Sequence, residues 1–78
     1  LLRLEIEVGA ERRQIVAGIA RHYAPETLIG KTIVIVANLA PAKIRGIESR
    51  GMLLAVTAGE TLRLLTADGD VPSGIRAQ

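Results

Sequence analysis

An all-β fold with one short helix, arranged as a small barrel, is what this sequence predicts, on three observations. Leu2, Leu4, Ile6 and Val8 alternate with Arg3, Glu5 and Glu7, the period of a strand with one buried face. Several further short apolar segments follow, separated by turn residues, around a single helix-like stretch, and such an arrangement suits a small barrel with the helix plugging one end. The apolar 49% of the 78 residues is nearly all aliphatic, with no Phe, no Trp and one Tyr, Tyr23. A core of Ile, Leu, Val and Ala, rich in β-branched side chains, favours strands.

The elements follow in order. Gly9-Ala10-Glu11 breaks the first strand, and the pattern resumes from Arg13 to Ile19, predicting a β-hairpin. Gly18 inside the second strand suggests a bulge or tight curvature. Residues 24–30, APETLIG, read as a short helix, with Pro25 in the first turn and Gly30 as a left-handed stop. Thr32 to Ala37 is a nearly continuous apolar run, which predicts a central strand buried on both faces. Pro41 ends pairing there. Met52 to Val56 forms a fourth strand, Ala58-Gly59-Glu60 a turn and Thr61 to Thr66 a fifth strand. Asp68-Gly69-Asp70 is a sharp turn, and the tail from Pro72 is expected to be loosely held.

Size and composition narrow the function classes. Residues 1–78 make one small domain, near the size at which a single core sustains itself. Without cysteine there is neither a disulfide framework nor a thiolate metal site. No apolar run approaches the length of a membrane span, and the alternation at Leu1–Glu5 is unlike a signal peptide. The net charge of +2 says little by itself, but its distribution says more. Arg12 and Arg13 share one turn, Lys43, Arg45 and Arg50 share one segment, and Asp68 and Asp70 lie near the C-terminus. Eight of the ten cations are Arg, the residue suited to planar, bidentate contact with phosphate. The same bias also suits a merely thermostable surface.

Catalytic constellations are poorly represented. There is one His and no Gly-rich phosphate loop. His22 and Ser49 have no third residue to orient them as base and nucleophile. Asp68 and Asp70 lack the further oxygen ligands of a calcium loop and read as an acidic turn. No cofactor is expected.

The richest segment runs from Asn38 to Leu54, NLAPAKIRGIESRGMLL. Its cations lie between turn-forming points ahead of an apolar strand, an arrangement suited to spaced phosphates. The pattern Asn38-Leu39-x-Pro41-x-Lys43-x-Arg45-Gly46-x-Glu48-Ser49-x-Gly51-Met52-Leu53-Leu54 resembles the signature of the tRNA-binding OB-fold family. In pattern it is nearest to the C-terminal domain of bacterial methionyl-tRNA synthetase. The resemblance implies a five-stranded OB barrel, a homodimer, a cytoplasmic setting and attachment to an aminoacyl-tRNA synthetase. Family domains open with a strand of the character D-L-R-V-G-K-V and an N-A-D-K-L approach, and this sequence has neither. The resemblance therefore implies an N-terminally incomplete barrel whose open edge invites pairing with another chain.

Composition narrows the mode of RNA binding. OB folds that hold single strands stack bases on aromatic rings, and only Tyr23 is available here, with packing beside the helix as its expected role. What remains is recognition of folded RNA through Arg, Lys, Asn and main-chain amides, and the resemblance likewise implies binding of tRNA by shape. The expected contacts begin with Asn38, which either closes a strand end as an Asx-turn or bonds sugar or phosphate. Lys43 and Arg45, two apart in an extended loop, are expected to face one side and bracket neighbouring phosphates. Arg50 is a weaker candidate because Glu48 is a possible partner. Ser49 and Met52 belong to the family's S-x-G-M element, matched here as Ser49-Arg50-Gly51-Met52, and the resemblance places both at the binding face. Read from the residues alone, Ser49 equally caps a turn and Met52 equally fills core. Gly51 supplies a backbone angle or a close approach. Arg12, Arg13 and Lys31 are outlying candidates for phosphate contact.

The sequence thus predicts a non-catalytic tRNA-binding module, with neither DNA nor membrane as partner. Two other classes stay open: a protein-binding domain like the family's export chaperone, and a purely structural dimerisation domain with a solvated basic loop.

Overall fold

Eight strands and one 3-10 turn carry the chain in the computed structural model, which describes residues 1–78. β1 (Leu2–Val8) and β2 (Glu11–Ala17) form an antiparallel hairpin, with Val8 opposite Glu11 and Leu2 opposite Ala17. The alternation of β1 is realised: Leu2, Leu4, Ile6 and Val8 are half-buried while Arg3, Glu5 and Glu7 are exposed. β2 behaves differently. Its last three residues, Ile15, Val16 and Ala17, are all buried, so side chains on both faces of the strand are enclosed. β2 stops at Ala17, and Gly18 is an exposed bend rather than a position inside a strand.

The double burial expected of residues 32–37 therefore belongs to β2. In that apolar run only β3 (Ile35–Val36) pairs, with β6 (Met52–Leu53), and Ile33 to Ala37 are half-buried. A continuous apolar run reports proximity to the core, not membership of one ladder. Val34 shows why: its N–H donates to Leu65 O at 3.1 Å and its O accepts from Leu54 N–H at 2.9 Å. Its backbone bonds thus go to two different segments.

The predicted fourth strand divides at the same place. Met52–Leu53 pair with β3, whereas β7 (Ala55–Ala58) pairs with β8 (Thr61–Leu64). Between them, Leu54 O accepts from Leu65 N–H at 3.1 Å. Val34, Leu54 and Leu65 therefore form a corner where the chain exchanges one partner strand for another. The remaining pair is β4 (Ala42–Ile44) with β5 (Ile47–Ser49), so the strands form four two-stranded ladders.

The expected helix is a single 3-10 turn, Pro25–Thr27, with no buried residue. Thr27 donates to Ala24 O through both its N–H, 3.0 Å, and its hydroxyl, 2.7 Å. One turn cannot offset the cost of helix nucleation over a longer stretch. Its neighbours, not the turn itself, reach the core. Tyr23 and Leu28 pack partly buried against a core of Ile15, Ala17, Ile19, Leu53 and Leu64, and Tyr23 Oη accepts from Leu64 N–H at 3.0 Å.

The tail from Pro72 is not loosely held. Ser73 Oγ accepts from Gly9 N–H at 3.0 Å and donates to Glu7 O at 2.8 Å, clasping the β1–β2 turn. At Gly74, φ is 86°, and an added Cβ would lie 2.6 Å from Gly9 N. Polar turn composition gave no hint of this, because the partner is 64 residues away in sequence.

Candidate nucleic-acid interface

The cationic segment is a hairpin rather than an extended loop. Ile44 and Ile47 face each other and leave a two-residue turn, Arg45-Gly46, with φ of 52° and 80°. Two successive positive angles define the type I′ turn that matches strand twist. Arg45 is the single non-glycine residue in the chain with positive φ, a conformation that costs a side-chain-bearing residue roughly 1–2 kcal/mol. Arg45 is exposed at the hairpin's turn. Lys43 lies two residues back, exposed, and directly opposite Glu48. The segment is thus a hairpin and not the extended loop expected, and the carboxylate of Glu48 stands across the strands from Lys43.

Arg50 has another partner. Its Nη2 lies 3.6 Å from Glu11 Oε2, and the side chain remains 46% exposed. Glu11 also accepts from Arg13 Nε at 3.0 Å through its other oxygen. Arg13 is turned into the protein, with 19% side-chain exposure. Its Nη1 donates to Ala37 O at 2.6 Å and to Arg50 O at 3.2 Å. Expected as an outlying phosphate contact, this guanidinium is instead occupied by three protein oxygens. Gln14 works beside it, with Nε2 donating to Glu48 O at 2.8 Å and its O accepting from Arg50 N–H at 2.9 Å.

Ser49 is likewise internal. Only 3% exposed, its hydroxyl accepts from Val16 N–H and donates to Gly51 O, both at 2.9 Å. It ties β5 to β2 and has no surface left for a phosphate. Gly51 fulfils both expected roles: φ is 136°, and a Cβ would lie 3.1 Å from Val36 O. Met52, opposite Val36, is exposed at 37%. Asn38 is exposed next to Ala37, so Arg13 brings the Asn38 segment against the turn carrying Arg50. Arg12 is exposed in β2 opposite Glu7. Lys31 lies elsewhere, with Nζ 5.8 Å from the centre of the Tyr23 ring and Thr66 and Asp70 around the same hollow.

Residues 1–76 match the model of the family described as "Putative tRNA binding domain". The chain belongs to that family. Among relatives of this tRNA-binding-domain chain, methionine–tRNA ligase of Thermotoga maritima is 66% identical over 76 residues, covering 97% of this chain and 12% of the ligase. The ligase of Bacillus subtilis is 49% identical, covering 97% of this chain and 11% of its own length. The chain thus spans about one-eighth of the curated relatives it matches. Two solved structures share the fold. A protein related to methionyl-tRNA synthetase from Pyrococcus horikoshii superposes with a TM-score of 0.88 at 39% identity, covering 97% of this chain and 71% of that one. Chaperone CsaA of Bacillus anthracis superposes with a TM-score of 0.92 at 33% identity, covering 97% and 74%.

In this tRNA-binding-domain chain, the structure brings Asn38, Arg50 and Met52 into one neighbourhood around the tip of β2. Lys43 and Arg45 stand on the adjoining β4–β5 hairpin, where β2 bonds Glu48 O through Gln14 and Ser49 Oγ through the Val16 N–H. Lys31 is not part of that group. Sequence reasoning missed Glu11 and Gln14, for which a carboxylate at a turn and an amide in a strand give no signal. The Ser49 hydroxyl donates to Gly51 O, and no group of three His, Asp or Glu side chains is placed to hold a metal ion. No helix is long and apolar enough to cross a membrane.

Proposed function

We propose that residues 1–78 act as a single, non-catalytic tRNA-binding module of the OB type, appended to a methionyl-tRNA synthetase as its C-terminal domain and working in the cytoplasm as a homodimer. The observation that carries this reading is the exposed cationic hairpin, Lys43 and Arg45, beside the exposed Arg50, within a chain whose single aromatic ring is engaged in packing. A surface with cations and no stacking platform suits the phosphates of a folded RNA better than the bases of a single strand. The family match and the methionine–tRNA ligases among the relatives support tRNA as that RNA. Such an appendage raises the local concentration of tRNA at the enzyme to which it is linked.

The test is binding of the intact natural protein to unfractionated tRNA over a salt series, with single-stranded RNA of matched length as competitor. Affinity is expected to fall steeply with salt, and folded tRNA to win. Lys43→Ala with Arg45→Ala is expected to weaken binding and reduce the salt slope by roughly 0.7–0.9 per lost phosphate contact, with circular dichroism unchanged. Unchanged affinity in that variant removes the hairpin from the interface.

A second reading is favoured by a specific pair of observations. The chain superposes closely on chaperone CsaA, and Met52, Leu54, Val56 and Leu65 are exposed apolar side chains at or near the β6–β7 corner. On that reading the module binds unfolded polypeptide, and a reduced, unfolded protein would displace tRNA. Salt-insensitive assembly with no RNA binding would instead leave a structural dimerisation domain.

A further inference from the structure

Arg13 is the arginine of the basic region whose guanidinium the fold engages most, with three of its five donors bonded to protein. Its Nε and Nη1 reach Glu11 Oε1, Ala37 O and Arg50 O at 3.0, 2.6 and 3.2 Å. These acceptors come from three places: the start of β2 itself, the end of the β3 run, and the turn between β5 and β6. The latter two carry exposed Asn38 and exposed Arg50. Glu11, through its second oxygen, holds the Arg50 guanidinium at 3.6 Å.

We infer that Arg13 is a positioning residue for tRNA recognition, bridging Ala37 and Arg50 so that the Asn38 and Arg50 side chains are presented in fixed register. The inference rests on the tRNA-binding reading of this site. It follows from the shape of the group. A guanidinium carries five donors in a rigid fork, so one side chain can join two carbonyls and a carboxylate in a single plane of contacts. A lysine ammonium, a compact point charge on a flexible stem, keeps the charge and loses that fork. With Nε and Nη1 bonded to protein oxygens and the side chain only 19% exposed, Arg13 acts through the segments it bridges rather than by neutralising a phosphate itself.

Charge and position are separable by experiment. Each phosphate that a protein neutralises adds to the slope of log affinity against log salt, whereas prior ordering of the contacts shifts affinity at every salt concentration alike. In the intact protein, Arg13→Lys and Arg13→Gln are both expected to weaken tRNA binding about tenfold, with slopes parallel to wild type. Both are also expected to speed hydrogen exchange of the Arg50 amide, which is bonded to Gln14 O, in the absence of RNA. Lys43→Ala serves as the control that lowers the slope.

Full affinity in Arg13→Lys together with a lowered slope in Arg13→Gln would overturn the inference, since that is the behaviour of a phosphate contact. Unchanged exchange at Arg50 in a folded variant would overturn it as well. If Arg13→Gln does not fold, Arg13→Lys carries the same comparison with the stem packing kept. Failure of the wild type to bind tRNA, with exchange at Arg50 still accelerated, would strike the tRNA reading and leave the bridge as a feature of folding alone.

Discussion

Ser49 separates what a residue type suggests from what its surroundings require. A serine in a basic segment is a natural phosphate ligand, yet this one is enclosed and bonded on both sides, to Val16 N–H and Gly51 O. Removing the hydroxyl strands a buried backbone donor, a loss of roughly 1–3 kcal/mol. Ser49→Ala is therefore expected to lower unfolding stability by about 2 kcal/mol, read as a reduced denaturant midpoint with unchanged slope. The tRNA affinity of the folded variant should stay near wild type, whereas loss of a direct phosphate ligand would weaken binding at every salt concentration. Gly51 answers to the same packing. Its missing Cβ is where Val36 O comes closest, so the glycine of the Ser49–Met52 element serves β3 before it serves any ligand.

The β4–β5 hairpin is the element in which stability and binding compete. Arg45 takes a left-handed conformation in a two-residue turn, where Asn and Gly are the favoured residues because they relieve the steric cost. Arg45→Asn is accordingly expected to stabilise the protein by about 1 kcal/mol. The same change should weaken tRNA binding and lower the salt slope by roughly 0.7–0.9, since one cation leaves the tip. Equilibrium denaturation and a salt titration on one preparation check both signs. An increase in stability with no change in slope would mean that the guanidinium at the tip meets solvent and not phosphate. β6 and β7 make a different point about elements. An apolar stretch from Met52 to Val56 reads as one strand, but Leu54 turns its backbone bonds toward Val34 and Leu65, and the stretch serves two ladders.

Across the whole molecule only 8 of 78 residues are buried, so the domain depends on peripheral ties as well as on its core. The clasp of Ser73 and Gly74 on the β1–β2 turn is one such tie. At Gly74 a side chain would meet Gly9 backbone at 2.6 and 2.7 Å, in a backbone conformation that already disfavours one. Gly74→Ala is expected to destabilise the protein by more than about 1 kcal/mol and to expose the Gly9 amide to rapid hydrogen exchange. Ser73→Ala should raise exchange at Gly9 with a smaller loss of stability. Equal protection of Gly9 in wild type and both variants would show that the tail does not hold the turn.

The all-β class, the β1–β2 hairpin with its inward Leu2, Leu4, Ile6 and Val8, and the lack of an aromatic platform are all legible in the residues alone. These are local quantities: a period of two, a turn dipeptide and a count of rings, each visible within a few residues. The sequence also located the cations and the S-x-G-M element. Which cations are free was decided only by the tertiary structure. Arg12 and Arg13 are neighbours of the same type, yet one is exposed and the other bridges carbonyls 24 and 37 residues away. The strand buried on both faces was likewise decided by which segments meet around β2, not by the longest apolar run. Whether a polar group is free depends on acceptors brought together by folding, and residue type and spacing carry no record of those partners.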